Sequence, residues 1–222
     1  KKELRKYDNY TTYALVSVAE ALQSSGLNLE EVNKNRVGVI WGSGIGGIKT
    51  FSDEIKAFVE GNEVPRFNPF FIPKMIADIA PGNISIKYGF RGPNYTTVSA
   101  CASSSHALID AFTYLRLGKA DVIVTGGSEA AVNETGIGGF NACHALSTNN
   151  EKAETASRPF DVDRDGFVLS EGSGMIILES EEHALERGAP ILAELAGYGS
   201  TDDAFHITQP APEGEGAYRA MQ

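Results

Sequence analysis

Tyr95-Thr96-Thr97-Val98-Ser99-Ala100-Cys101-Ala102-Ser103-Ser104-Ser105-His106 is the stretch on which the reading of the chain turns. Tyr95 to Val98 is rich in β-branched and aromatic residues and predicts a short buried strand. Ala102 to Leu117 predicts a helix, because Ala107, Leu108, Ala111, Phe112 and Leu115 recur at three- and four-residue steps. Cys101 then falls at a strand-to-helix turn, at the positive end of the helix. There the unpaired N–H groups favour a thiolate and offer oxyanion donors to a carbonyl under attack. Geometry alone leaves two readings open: a nucleophile, or a small buried cysteine at a tight turn.

Outward from that stretch the pattern alternates strand and helix. Asp8 to Ser25 predicts a helix stopped by Gly26, and Arg36 to Trp41 a strand. The strand runs into Gly42-Ser43-Gly44-Ile45-Gly46-Gly47, followed by a helix to about Glu60. The spacing G-x-G-x-x-G raises a dinucleotide site. The acid that should hold the ribose about 20 residues on falls in a loop, Glu60-Gly61-Asn62-Glu63-Val64-Pro65, so close backbone packing beside a pocket is the preferred account. Arg66 to Pro73 reads as an aromatic, proline-punctuated loop. A helical stretch to Tyr88 follows, interrupted near Pro81-Gly82, and Gly89 to Pro93 turns the chain into a central strand.

Beyond the Cys101 helix, Asp121 to Thr125 predicts a strand covered on both faces, and Gly126 to Ser147 a long glycine-rich loop. Asp161-Val162-Asp163-Arg164-Asp165-Gly166 imitates a calcium loop, but Gly172 stands where the bidentate acid belongs and Arg164 sits among the ligands. An Arg–carboxylate knot in a surface turn is expected instead, and no metal site. Gly174 to Leu178 and Ile191 to Gly199 read as strands joined by a helix from Glu181 to Arg187, and a further helix begins at Gly214. The class is α/β.

Composition sets the bounds. The chain has 222 residues and 42% hydrophobic content, enough for one large core or two small ones. Two cysteines, Cys101 and Cys143, imply no disulfide framework and a reducing compartment; no apolar run has the length of a membrane span. The net charge of −10 arises wholly after residue 148, where 5 basic side chains face 15 acidic ones. Such a chain is a poor nucleic-acid binder. Its first six residues nevertheless hold Lys1, Lys2, Arg5 and Lys6 against Glu3. That basic corner suits an acidic protein partner, or is simply a solvated helix start.

Ser99-Ala100-Cys101-Ala102-Ser103, Gly42-Ser43-Gly44-Ile45-Gly46-Gly47, Ala156-Ser157-Arg158-Pro159-Phe160-Asp161 and Arg164-Asp165-Gly166-Phe167-Val168 together resemble a β-ketoacyl-acyl carrier protein synthase, most closely the type II elongating enzyme of fatty acid synthesis. The resemblance implies a thiolase-like αβαβα layered fold, incomplete here. Residues 1–188 would be the N-terminal half and 189–222 the start of the C-terminal half. It implies a decarboxylative Claisen condensation, with the acyl chain held on Cys101 and malonyl-carrier protein as the second substrate. It further implies a cytoplasmic homodimer with no cofactor, working on acyl carrier protein.

By the same resemblance Ile45 and Phe71 line the acyl tunnel, Phe140 gates access to the cysteine, and His206 and Thr208 meet the pantetheine arm. Lys2, Arg5, Lys6 and Arg66 dock the carrier protein, and His144 stands where relatives often carry an arginine. The family's two catalytic histidines, its lysine and the phenylalanine that completes the oxyanion hole have no matching motif in this sequence. His106 is expected to be a satisfied core histidine and Cys143 structural, while His183 carries no signal. The alternatives are a non-catalytic acyl- or carrier-binding fragment, a type I elongating synthase or a polyketide ketosynthase.

Overall fold

Strands β1 (Val37–Gly42) and β3 (Val122–Glu129) lie side by side in the middle of the sheet, and their side chains alternate between two hydrophobic layers. Val37, Val39, Trp41, Val122 and Val124 face one layer; Ile40 and Ile123 face the other. The period of two in a parallel pair covered on both faces explains why both strands read as unbroken apolar runs. The computed structural model describes residues 3–222, with side chains from Arg5 onward.

The sheet has four strands in the order β2-β1-β3-β4, where β2 is Asn94–Thr97 and β4 is Gly172–Glu179. Pairing is parallel from β2 through β1 to β3, and antiparallel from β3 to β4. Helix α1 (Asn9–Ser25) covers one face with Tyr10, Ala14, Val18 and Leu22, joined by Ala80 and Ile84 of α4 (Ile79–Tyr88). Helix α5 (Ser103–Arg116) covers the other face with Ala107 and Ala111. Tyr10, Trp41, Ile40, Ile84 and Ile123 are fully buried; each such side chain contributes about 1.5–3 kcal/mol. Gly26 ends α1 with φ of 64°, as the sequence pattern requires.

Short helices fill the rest: α2 (Ile48–Glu60), α3 (Phe71–Met75), α6 (Glu134–Ala142), α7 (Glu181–Glu186) and α8 (Glu215–Met221). The chain divides into two units, one ending at Pro190 and one of Ile191–Gln222. In the first, helices, sheet and helix make three layers, so the five-layered stack is represented by a part of it. The second holds α8, pinned by Thr201 Oγ1 donating to the Gly216 carbonyl at 2.6 Å and by Arg219 Nη2 donating to the Asp202 carbonyl at 3.0 Å.

Several local expectations are corrected. The strand before Cys101 is neither central nor buried; β2 is an edge strand, half-exposed. Its Tyr95 hydroxyl donates to Asp110 at 2.9 Å, and burial together with that carboxylate pushes its pKa up. The run Gly126 to Ser147 is not a loop. β3 continues through Gly126-Gly127-Ser128-Glu129, and α6 follows, capped by the Asn133 side chain accepting from Gly136 N at 2.9 Å. Pro81 does not interrupt its helix, because it lies in the first turn of α4, where no N–H is needed; the break comes between Met75 and Ile79. Ile191 to Gly199 forms no strand, since no ladder partner exists for it among the described residues.

Candidate active site

Cys101 occupies a single 3-10 turn, Ala100–Ala102, between the edge strand and α5, and it is exposed. The buried-cysteine reading therefore fails. The residue before it, Ala100, has φ of 48°. A non-glycine residue there costs about 1–2 kcal/mol, strain that surrounding structure must hold. Ser103, which is buried, supplies much of that hold. Its hydroxyl donates to the Ala100 carbonyl at 2.7 Å and accepts from Ser99 N at 2.9 Å. Thr97 Oγ1 donates to the Ser103 carbonyl at 2.7 Å, tying the strand end to the helix start across the turn. His106 is half-buried, with Nδ1 2.7 Å from Ser99 Oγ, so it belongs to the scaffold of this turn.

Two glycines let the helix start come this close to the sheet. A Cβ on Gly42 would sit 2.5 Å from Ser104 N, and one on Gly127 would sit 2.0 Å from Ser104 Oγ. No side chain fits at either place, which presses the N-terminus of α5 onto the ends of β1 and β3.

The glycine-rich turn after β1 has a further occupant. Gly44 N and Ile45 N donate to Glu129 Oε2 at 2.7 and 2.9 Å, and Gly46 N to Glu129 Oε1 at 3.2 Å. Successive backbone N–H groups of this kind make an anion nest, and here the anion is the protein's own carboxylate. The amides a phosphate would need are engaged. Sequence reasoning passed over Glu129; the available signal was an acid closing an apolar strand opposite a glycine-rich turn.

Ile45 lines an open apolar pocket of about 390 Å³ together with Ile48, Phe51, Met75, Ile76 and Ala77. Phe71 stacks on Phe51 with centroids 6.2 Å apart and on Phe67 at 5.2 Å, so Ile45 and Phe71 meet one apolar surface through Phe51. Phe140, on α6, packs edge-on against Phe167 at 5.3 Å. Cys143 is exposed at the C-cap of α6, not buried as a structural cysteine would be, and His144 follows with φ of 54°.

Arg5, Lys6 and Arg66 are exposed; Lys2 lies outside the described residues. In the second unit His206 Nδ1 accepts from Thr208 N at 3.2 Å and Gln209 N at 3.1 Å. That joins His206 to Thr208 in one exposed turn and places the proton of the neutral ring on Nε2. His183, which carried no signal in sequence, hydrogen-bonds Glu179, whose oxygens also take Arg187 Nε at 2.6 Å and Nη2 at 2.7 Å. The expected Arg–carboxylate knot does not form around Arg164, which makes no ion pair among the described residues. Asp165 accepts from Ser147 Oγ at 2.7 Å and Thr148 N at 3.1 Å, with Arg158 at 4.0 Å, while Arg164 turns to the Asp161 carbonyl at 2.7 Å. Ser147 and Thr148 together hold the Asp165 carboxyl below its usual range.

A mixed four-stranded sheet covered by helices on both faces, with an exposed cysteine on a strained turn at the head of one of them, is the architecture of a thiolase-like half-domain. The chain belongs to the β-ketoacyl synthase family: residues 1–184 match the family model "Beta-ketoacyl synthase, N-terminal domain". Over all of its 222 residues it is 49% identical to a 3-oxoacyl-[acyl-carrier-protein] synthase 2 of Staphylococcus aureus, covering 55% of that protein. It is 46% identical to the enzyme of the same name from Rhizobium meliloti, covering 53% of it. The chain thus spans about half the length of the curated relatives it matches. Among solved structures, a β-ketoacyl synthase from Burkholderia phymatum aligns with 100% of this chain and 54% of its own, at TM-score 0.87 and 30% identity. A type II polyketide ketosynthase solved in complex with its acyl-carrier protein aligns with 91% of this chain and 56% of its own, at TM-score 0.73 and 28% identity. Among the described residues no helix is long and apolar enough to cross a membrane.

Proposed function

We propose that the full-length protein is a 3-oxoacyl-[acyl-carrier-protein] synthase that elongates fatty acids by decarboxylative Claisen condensation. The observation that carries the reading is Cys101: exposed, preceded by a residue held at φ of 48°, and set at the start of a 14-residue helix. Its thiolate attacks the carbonyl of an acyl thioester, and the Cys101 N–H steadies the oxyanion. The bond to the carrier's sulfur then breaks, so that this sulfur leaves as a thiolate and takes up the proton Cys101 gave up. The acyl chain then lies along the cavity beside Ile45 and the stacked rings of Phe51 and Phe71, an apolar lining suited to a hydrocarbon.

Malonyl-carrier protein next loses carbon dioxide, and its carbanion displaces the sulfur of Cys101. Phe140 gates this access, the His206–Thr208 turn meets the pantetheine arm, and Arg5, Lys6, Arg66 and Lys2 receive the acidic carrier. The active form is a homodimer. Supporting the carrier as partner is the relative solved with its own acyl-carrier protein.

The deciding experiment is incubation of the full-length protein with an acyl-carrier thioester, followed by peptide mapping. The acyl group should appear on Cys101 and not on Cys143, although a small alkylating reagent should label both exposed thiols. Condensation retained by Cys101→Ala, or acyl transfer to Cys143, would sink the proposal.

A further inference from the structure

The glycine-rich turn that carries Ile45 is held from two sides. On one side Glu129 takes the amides of Gly44, Ile45 and Gly46; on the other, Gly47 N donates to the Met75 carbonyl at 2.9 Å. Met75 and Ile45 are both walls of the apolar cavity. The same carboxylate lies near the nucleophile turn: a Cβ on Gly44 would stand 3.0 Å from Glu129 Oε2 and 3.5 Å from the Ala100 carbonyl. Glu129 therefore ends β3 at the point where the pocket wall and the Cys101 turn come together.

We propose that Glu129 is a positioning residue for acyl-chain selection, fixing through three backbone amides the placement of Ile45 against which long chains are accommodated. The inference rests on the condensing-enzyme reading above. A carboxylate serves better here than a neutral group, because it has only acceptors and bonds from N–H to an ionised oxygen are the stronger kind. Oε2 takes two of the three amides and Oε1 the third. Glutamine would keep one oxygen for Gly44 and Ile45 but turn its NH2 towards Gly46 N–H, where two donors meet. Alanine would leave all three amides without this acceptor. Long chains that run past Ile45 should feel the change, and short chains that stop before it should not.

The test uses the full-length protein, with hexadecanoyl- and hexanoyl-pantetheine thioesters as probes and the rate of Cys101 acylation as the readout. Glu129→Ala should lower the long-to-short rate ratio about tenfold, and Glu129→Gln about threefold, a graded loss that follows the number of amides released. Glu129→Gln is nearly isosteric, so it keeps the test open should the alanine variant fold poorly. A loss shared equally by both thioesters, or an unchanged ratio in the glutamine variant, would overturn the proposal and make Glu129 a stability residue. A wild-type protein acylated by neither thioester would overturn the condensing-enzyme reading itself.

Discussion

The hydroxyl of Ser103 donates to the carbonyl of Ala100 at 2.7 Å, closing the turn that holds Cys101 between them. Because Ser103 also accepts from Ser99 N, its removal leaves two backbone groups short of partners. Ser103→Ala should cost about 1–3 kcal/mol, read as a lowered denaturant midpoint. Acylation of Cys101 should slow more than folding alone explains when both are measured well below the melting temperature. Ser105→Ala, at an exposed position two residues on, is the control. Equal acylation rates in the two variants would show the hydroxyl to be dispensable to the turn.

Glu179 links acid stability to Arg187. Burial pushes its pKa up, but the Arg187 guanidinium and the His183 ring outweigh that and hold it below the usual range. A depressed folded pKa gives stability that is fully present above the unfolded value, about 4.3, and is lost as pH falls through the folded one. The Glu179 side chain is 9% exposed and that of Arg187 is 20%, so this is a largely buried pair. Arg187→Ala should cost about 3 kcal/mol at neutral pH and move the acid unfolding midpoint upward. An unshifted acid midpoint would refute the linkage.

Phe140→Ala should slow acylation of Cys101 more than it lowers stability, because a gating ring acts on access and ordering of substrate. Phe140 is only half-buried and rests on Phe167 by a single edge contact, so the stability cost should be about 1–2 kcal/mol. A large fall in melting temperature with normal acylation would make Phe140 a packing residue.

Reversing Arg5 and Lys6 to glutamate should raise the apparent KM for acyl-carrier protein about tenfold, equivalent to about 1.4 kcal/mol, and leave a small acyl thioester unaffected. Both side chains are exposed, which suits attraction at long range. The difference between wild type and variant should shrink at high salt. Equal damage with both substrates would assign the pair to folding, and no damage would return it to a solvated helix start.

Much of the architecture was legible because it is local. Tyr10, Ala14, Val18 and Leu22 repeat at helical steps and do cover the sheet from α1, and Gly26 ends that helix. The same holds for α5 and for the strand-to-helix placement of Cys101, since periodicity and turn chemistry act over a few residues. Glycine-rich runs misled where neighbours decided the outcome. Gly126 and Gly127 read as loop, yet β3 continues through them, paired with Trp41 and Gly42 on one side and with Met175 and Gly174 on the other, while Gly127 leaves room for Ser104.

The sequence by itself determined an α/β chain, the strand-to-helix position of Cys101 and, through several motifs in order, its family. Only the tertiary structure decided that β2 is a sheet edge, that Cys101 and Cys143 are both exposed, and that His183 joins an ion cluster. It alone decided the occupant of the glycine turn, since Glu129 reaches Gly44 across 85 residues of chain. The physical reason is common to all of these. Periodicity reports which face of an element is apolar, whereas the partner that satisfies an amide or covers an edge is chosen by distant chain brought near on folding.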